Sequence, residues 1–408
     1  VSMRWVYTIA LIMLFYRMNN AQTKIAFDEL ERLLKTKSPQ MNIINGGYEI
    51  SAKEREIDLQ WSNPEFEFEM ERIKFGTGNE TESVYSFSKS FEFPWIYSKR
   101  KDVWDSKLKA ASYEREKNVN AFLAEMKTGY VELKLLADQQ KDVNEVKMML
   151  EKISGTASDQ HEEGAISGFE QNLIQMSLAS VEAAIIELSA RRTGLEYQWK
   201  AMAGIDKQTA VELTSDIKFM SPNPALLDEA VTRFENYAGI NAHHQTAEAT
   251  KNEAELEGMS FLPELSLSGG YKTISPDAKG FVLGVSVPVP LLNQNGARKE
   301  LKQIECEIHE KELEQYKAHV AGEVNTLIQS IEAYQNSLRK YFSDENKLSK
   351  GLDQIAVSYT EGWISLSDML NAVEIYFGYI ESVNEQLINY YKAVFTLESI
   401  SRKSLITF

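Results

Sequence analysis

The chain has 408 residues, with 44 Lys and Arg against 60 Asp and Glu, a formal net charge of -16. Hydrophobic residues make up 43%, which excludes wholesale disorder. The acidic balance excludes nucleic acid as a partner, because phosphate binding needs basic patches. A single cysteine, Cys306, excludes an intramolecular disulfide and is expected to be buried and inert.

At the N-terminus Arg4 precedes an apolar run from Trp5 to Tyr16. A basic residue, a short apolar run and a small residue at Ala21 predict a secretory signal peptide over 1–21. No Cys follows the run, so no lipid anchor is expected there. Beyond residue 22 no segment is expected to offer the roughly 20 apolar residues of a membrane helix.

Three landmarks then recur in order. Pro64-Glu65-Phe66-Glu67-Phe68 returns as Pro263-Glu264-Leu265-Ser266-Leu267, an offset of 199. Phe91-Glu92-Phe93-Pro94 corresponds to Val287-Pro288-Val289-Pro290, an offset of 196. Glu163-Gly164-Ala165-Ile166-Ser167 returns as Glu361-Gly362-Trp363-Ile364-Ser365, an offset of 198. Near-equal offsets predict two copies of one unit, 22–220 and 221–408. A solenoid would repeat every 20–50 residues. Each unit reads as a helical lead-in (25–60, 225–260), two strands, a long helix to a tip near 164 or 362, and a return helix.

The strands, 64–74, 84–94, 264–272 and 281–289, alternate. Phe66, Phe68 and Met70 oppose Glu65, Glu67 and Glu69. Tyr85, Phe87, Phe91 and Phe93 oppose Ser86, Ser88 and Ser90. Leu265, Leu267 and Tyr271 oppose Ser266 and Ser268. Phe281, Leu283, Val285, Val287 and Val289 oppose Gly284 and Ser286. Period-two alternation gives each strand one apolar and one polar face. The lengths suit tilted membrane strands, with Trp61, Trp95, Tyr97 and Tyr271 expected at the strand ends. The connections 76–83 and 273–280 read as turns. Soluble hairpins alternate too, so the exported context and the helices carry the choice.

From Pro94 to Gly164 is 70 residues and from Pro290 to Gly362 is 72. Helices of that length reach roughly 100 Å. Val320, Val324, Leu327, Ile331, Tyr334, Leu338 and Tyr341 follow a 4-3 spacing, as do Ile380, Val383, Leu387, Tyr390, Val394 and Leu397. That spacing is a coiled-coil seam. Four strands cannot close a membrane barrel, and open edges in lipid are forbidden, so several copies must share one. The polar strand faces then line a water-filled pore. The expected fold is thus an α+β membrane protein with a shared β-barrel and a coiled-coil α-barrel.

The motifs resemble the TolC-like outer-membrane efflux proteins, the CzcC-type metal-efflux branch most of all. The carriers are Asn63-Pro64-Glu65, Leu262-Pro263-Glu264-Leu265-Ser266-Leu267-Ser268-Gly269-Gly270-Tyr271, Val287-Pro288-Val289-Pro290-Leu291-Leu292-Asn293-Gln294-Asn295-Gly296-Ala297-Arg298, and the stretch from Tyr359 to Ala372. The resemblance covers the mature chain and is stronger in its second half. It implies a homotrimer with a 12-stranded barrel and a periplasmic tunnel, in the outer membrane of a Gram-negative bacterium. It also implies docking onto a periplasmic adaptor and an inner-membrane pump. By position the adaptor-contacting tips are Gly164, Ala165, Ile166 and Ser167, and Gly362, Trp363, Ile364 and Ser365. The equatorial region includes Ala203–Pro224. The lipid-facing residues are Phe66, Phe68, Met70, Phe87, Phe91, Phe93, Leu265, Leu267, Leu283, Val285 and Val287. Glu65, Glu67, Glu69, Ser86, Ser88, Ser266 and Ser268 face the pore. The chain is short for the family and lacks the acylated Cys of some members.

No catalytic or cofactor signature is found, so no enzyme and no cofactor are expected. His161, His243, His244, His309 and His319 lack metal-ligand spacing, and the Gly-rich pieces lack a following Lys-Ser/Thr. The expected function is a passive exit duct for small molecules or metal ions. A duct for secreted polypeptides, or a soluble periplasmic coiled-coil adaptor or scaffold, are the alternatives.

Overall fold

The computed structural model describes residues 23–408 except 77, 165, 260–263, 276, 290, 292–294, 344–350 and 407. The expected signal peptide, Ala165, and the Leu262-Pro263 and Leu292–Gln294 motif residues lie outside the described residues. In chain order the elements are β1 (Thr23–Ile25), α1 (Phe27–Lys37), α2 (Pro39–Asp58), β2 (Glu65–Phe75), β3 (Gly78–Glu92), α3 (Pro94–Glu162) and α4 (Gly168–Ala203). There follow β4 (Val211–Leu213), α5 (Pro224–Arg233), α6 (Ala238–Met259), β5 (Glu264–Ile274), β6 (Ala278–Ser286), α7 (Gly296–Ser343), α8 (Gly351–Thr360) and α9 (Leu366–Ser401).

The chain divides into two spatial units, each drawn from both sequence halves. One comprises Val1–Ile44 (described from residue 23), Lys117–Tyr237 and Val320–Phe408; the other comprises Asn45–Glu116 and Ala238–His319.

In the first unit β1 pairs in parallel with β4, Thr23 to Val211 and Ile25 to Leu213. Tyr130 of α3 is fully buried beneath them. Its hydroxyl donates to Ile25 O at 2.9 Å and accepts from Ser215 N at 3.2 Å. Trp199 of α4 donates its indole N–H to Met126 O at 3.0 Å. It lies so close to α3 that a Cβ at Gly129 would meet its Cδ1 at 2.8 Å. The carboxylate of Glu398 accepts from the amides of Leu405 and Ile406, at 2.7 and 3.3 Å, and pairs with Lys127 at 3.0 Å. This anchors the C-terminal residues against α9.

Heptad-spaced positions make the rest of that core. Val320, Val324, Ile331 and Leu338 are buried, and Leu327, Tyr334 and Tyr341 half-buried. On α9 the buried series Leu366, Met369, Val373, Ile380, Val383, Leu387, Tyr390, Val394 and Leu397 runs almost the whole helix. Near the tips α3 adds Val143, Val146, Leu150, Ile153 and Ala157, spaced 3-4-3-4, which pack with Ile174 and Val181 of α4 and Leu352 of α8.

The second unit holds one antiparallel sheet of order β2-β3-β5-β6. Its helices are tied by ion pairs. Lys99 meets Glu255 at 2.5 Å, Lys107 and Lys302 meet Glu253 at 2.5 and 2.9 Å, and Arg55 meets Asp105 at 2.8 Å. Ala242, Ala247, Ala249 and Ala254 make α6 a slim, buried helix. Cys306 of α7 is half-buried, and burial raises its thiol pKa.

Several expectations are corrected. The hairpin turns are shorter than 76–83 and 273–280. Thr81–Val84 continue β3 by pairing with Glu69–Arg72, because a ladder joins backbone N–H and C=O groups whatever side chains they carry. β6 ends at Ser286 rather than at 289, because Pro288 has no N–H to donate. β5 runs on to Ile274, so Tyr271 is inside it and not at its end. The long second helix is described from Gly296; its expected start, Pro290, lies outside the described residues. Among the described residues one helix, α4, is long and apolar enough to cross a membrane by length and composition. From Asn172 to Leu188 its only charges are Glu182 and Glu187; uncharged Gln, Asn and Ser break the apolar run without adding charge.

Candidate functional site

The strand register sorts the sheet into rows across one face. Phe91 pairs with Leu265. Lys89, Leu267 and Val285 form the next row, then Phe66, Phe87, Gly269 and Leu283. Phe68, Tyr85, Tyr271 and Phe281 follow, then Met70, Ser83, Thr273 and Lys279. Rows two residues apart are about 6.8 Å apart, so these five span about 27 Å along the strands. The apolar face is bare. Phe281 and Leu283 are each 87% exposed, Val285 is 70% exposed, and Phe66, Phe68, Met70, Phe87, Leu267 and Val287 are exposed too. Phe91, Phe93 and Leu265 are half-buried. Phe93 and Val287 lie just past their strands; Phe93 stacks on Trp95 at 4.7 Å.

Glu65, Glu67, Glu69, Ser86, Ser88, Ser266 and Ser268 share the opposite face. Ser90 and Ser266 hydrogen-bond there at 2.7 Å. Gly270 permits close strand approach, since a Cβ would lie 2.6 Å from Tyr85 O. Charge is segregated between the two faces. Every glutamate of the four strands lies on the polar face: Glu65, Glu67, Glu69 and Glu71 on β2, Glu80, Glu82 and Glu92 on β3, Glu264 on β5. Four of the five strand cations, Arg72, Lys74, Lys89 and Lys279, lie on the apolar face. The fifth, Lys272, lies on the polar face and pairs with Glu82. At the helical end of the sheet Trp61 stacks on Tyr97 at 5.6 Å, and Lys89 donates to Ser62 O at 2.7 Å.

In this sheet β2 and β6 each have one unpaired edge. A sheet with a bare apolar face and open edges is not complete in water.

The tips are built alike. Gly164 and Gly362 adopt φ of 75° and 74°, the left-handed conformation that ends a helix. Three residues on, Ser167 and Ser365 cap α4 and α9. Their hydroxyls accept from Glu170 N and Asp368 N, each at 3.2 Å, and the carboxylates accept in return from the serine amides at 2.9 and 3.3 Å. These capping boxes hold Glu170 below the usual carboxylate range through the Ser167 amide first, and Asp368 through the Ser365 hydroxyl first. Ile166 and Ile364 pack on the tip core, while Trp363 is 73% exposed and Phe169 is exposed beside the first tip. Among the described residues no group of three or more His, Cys, Asp or Glu is placed to hold a metal ion.

The chain shares its fold with solved outer-membrane channels. The CmeC outer membrane channel of Campylobacter jejuni matches with a TM-score of 0.76 at 14% identity, over 92% of this chain and 85% of that one. The outer-membrane channel OprN matches with a TM-score of 0.76 at 13% identity, over 93% and 91%. The outer membrane protein VceC of Vibrio cholerae matches with a TM-score of 0.72 at 16% identity, over 92% and 96%. No protein-family model and no curated sequence matches.

The sequence reading missed the 143–157 seam of α3, although its 3-4 spacing was there to be read. It also missed the β1–β4 pair, whose three-residue strands carry no local signal.

Proposed function

We propose that the chain is one of three identical subunits of an outer-membrane duct, the exit component of a tripartite efflux system. It carries small molecules or metal ions passively, and an inner-membrane pump supplies the energy. One observation carries the reading: a four-stranded sheet with a bare apolar face and two open edges. Hydrocarbon is the solvent in which that face is stable, and there the edges must pair with sister copies. Three copies supply 12 strands. The glutamate-lined polar face then borders the pore. The two sequence halves are copies of one unit, and each supplies one hairpin and one tip.

The capped tips, with Trp363 exposed, suit contact with a periplasmic adaptor through Gly164, Ala165, Ile166, Ser167, Gly362, Trp363, Ile364 and Ser365. The protein sits in the outer membrane of a Gram-negative cell and reaches into the periplasm. It performs no chemistry of its own. The test is extraction and mass. The protein is expected to require detergent and to give an intact particle of three chains. A water-soluble monomer would refute the duct.

A further inference from the structure

The three strand cations at the hairpin end have no hydrogen-bond or ion-pair partner among the described residues. They are Arg72 and Lys74 on β2 and Lys279 on β6, all exposed. The other two strand cations are engaged, Lys89 by Ser62 O and Lys272 by Glu82. All three free cations share the face that carries Phe68, Tyr85, Tyr271 and Phe281, and the strand glutamates are all on the other side. Lys279 is one row beyond that aromatic row, Arg72 two and Lys74 three. At about 6.8 Å per row they begin where the hydrocarbon band ends and the headgroup layer starts. In a chain of net charge -16, three cations and no glutamate on this face beyond the aromatic row run against composition.

We infer that Arg72, Lys74 and Lys279 form a binding belt for the phosphate groups of anionic membrane lipids at the hairpin end of the sheet. The belt rests on the reading that the apolar face meets lipid. The aromatic row takes the upper acyl chain, and the cations meet the phosphate above it. A Lys or Arg near an anionic lipid surface strengthens attachment about fivefold. The opposite end of the sheet has a different anchor, the Trp61–Tyr97 stack, and a cation already satisfied by protein.

The test is native mass spectrometry of the purified particle in detergent, offered equal amounts of phosphatidylglycerol and phosphatidylcholine. The wild type is expected to retain phosphatidylglycerol preferentially. The triple variant R72Q/K74Q/K279Q is expected to lose that preference, by about fivefold for each charge removed. The charge-keeping variant R72K/K74R/K279R retains it, as does K272Q on the polar face. An oligomer with no preference in the wild type, or with a preference intact in the triple variant, overturns the belt and leaves the duct standing. Displacement of lipid by excess inorganic phosphate makes free phosphate the ligand and overturns the lipid assignment. A lipid-free monomer overturns both.

Discussion

Leu283→Arg separates a lipid-facing sheet from a water-facing one. Leu283 is 87% exposed and stands in the third of five rows, about 14 Å along the strands from either limit of the apolar face. If hydrocarbon surrounds that face, Leu283 is near the bilayer midplane, where Arg costs about 2–4 kcal/mol. If water surrounds it, an exposed Leu→Arg change stays within about 0.5 kcal/mol. Ser88→Arg is the control. Ser88 lies on the polar face opposite Glu65 and Ser268, so the new cation meets a carboxylate and the change stays within about 1 kcal/mol. Urea unfolding of protein inserted in phosphatidylcholine vesicles, followed by tryptophan fluorescence, measures both variants. An L283R midpoint indistinguishable from wild type, with an unchanged denaturant slope, would refute the lipid-facing assignment.

Removing either tip cap, Ser167→Ala or Ser365→Ala, is expected to cost about 1 kcal/mol locally, read as faster amide exchange at Glu170 or Asp368. The lowered Asp368 and Glu170 values make this capping fully present above the ordinary carboxylate range and lost as pH falls through the folded values, so exchange at both tips should accelerate in acid. Asp142 behaves oppositely: burial first, then Glu145 and Asp138, push it up to about 6. Its charged form is penalised at neutral pH and the penalty is relieved as pH falls through about 6. Asp142→Asn should therefore raise neutral-pH stability by about 1 kcal/mol, discounted for partial exposure, and the gain over wild type should shrink below that pH. At Gly204, φ is 72° and a Cβ would lie 2.1 Å from Lys37 O. Gly204→Ala should lower the unfolding free energy by more than about 2 kcal/mol through left-handed strain and backbone clash, read as a fall in the urea midpoint at unchanged slope.

The parts legible in the sequence were those fixed by local periodicity. Alternation from Phe66 to Met70 and from Phe281 to Val285 placed the faces, and Gly-x-Ile-Ser at constant offset placed both tips. The hairpin ends were misread because Thr81, Glu82 and Ser83 look like a turn while their backbones complete a ladder with Met70, Glu71 and Arg72. The Thr23–Ile25 pairing with Val211–Leu213 was invisible, since parallel partners nearly two hundred residues apart leave no local trace. The division into spatial units was equally hidden. Each unit takes segments from both halves, and nothing in a single segment announces its distant neighbour.

The same residue types take two arrangements. In the unit built around α3, α4 and α9, apolar residues recur every three or four positions and turn inward; Val143, Leu150, Met369 and Leu387 are buried. In the sheet they recur every second position and turn outward, as Phe66, Leu283 and Phe281 do. An outward face built from alternating strands needs only about half of each strand to be apolar, with serine and glutamate between. The chain's mean hydropathy is accordingly only -0.35. A membrane helix must be apolar on every side and so declares itself in composition. A strand with one apolar face needs apolar residues on one side only, and here that shows in the alternation, in the unpaired edges of β2 and β6, and in the segregation of glutamates from cations across the sheet.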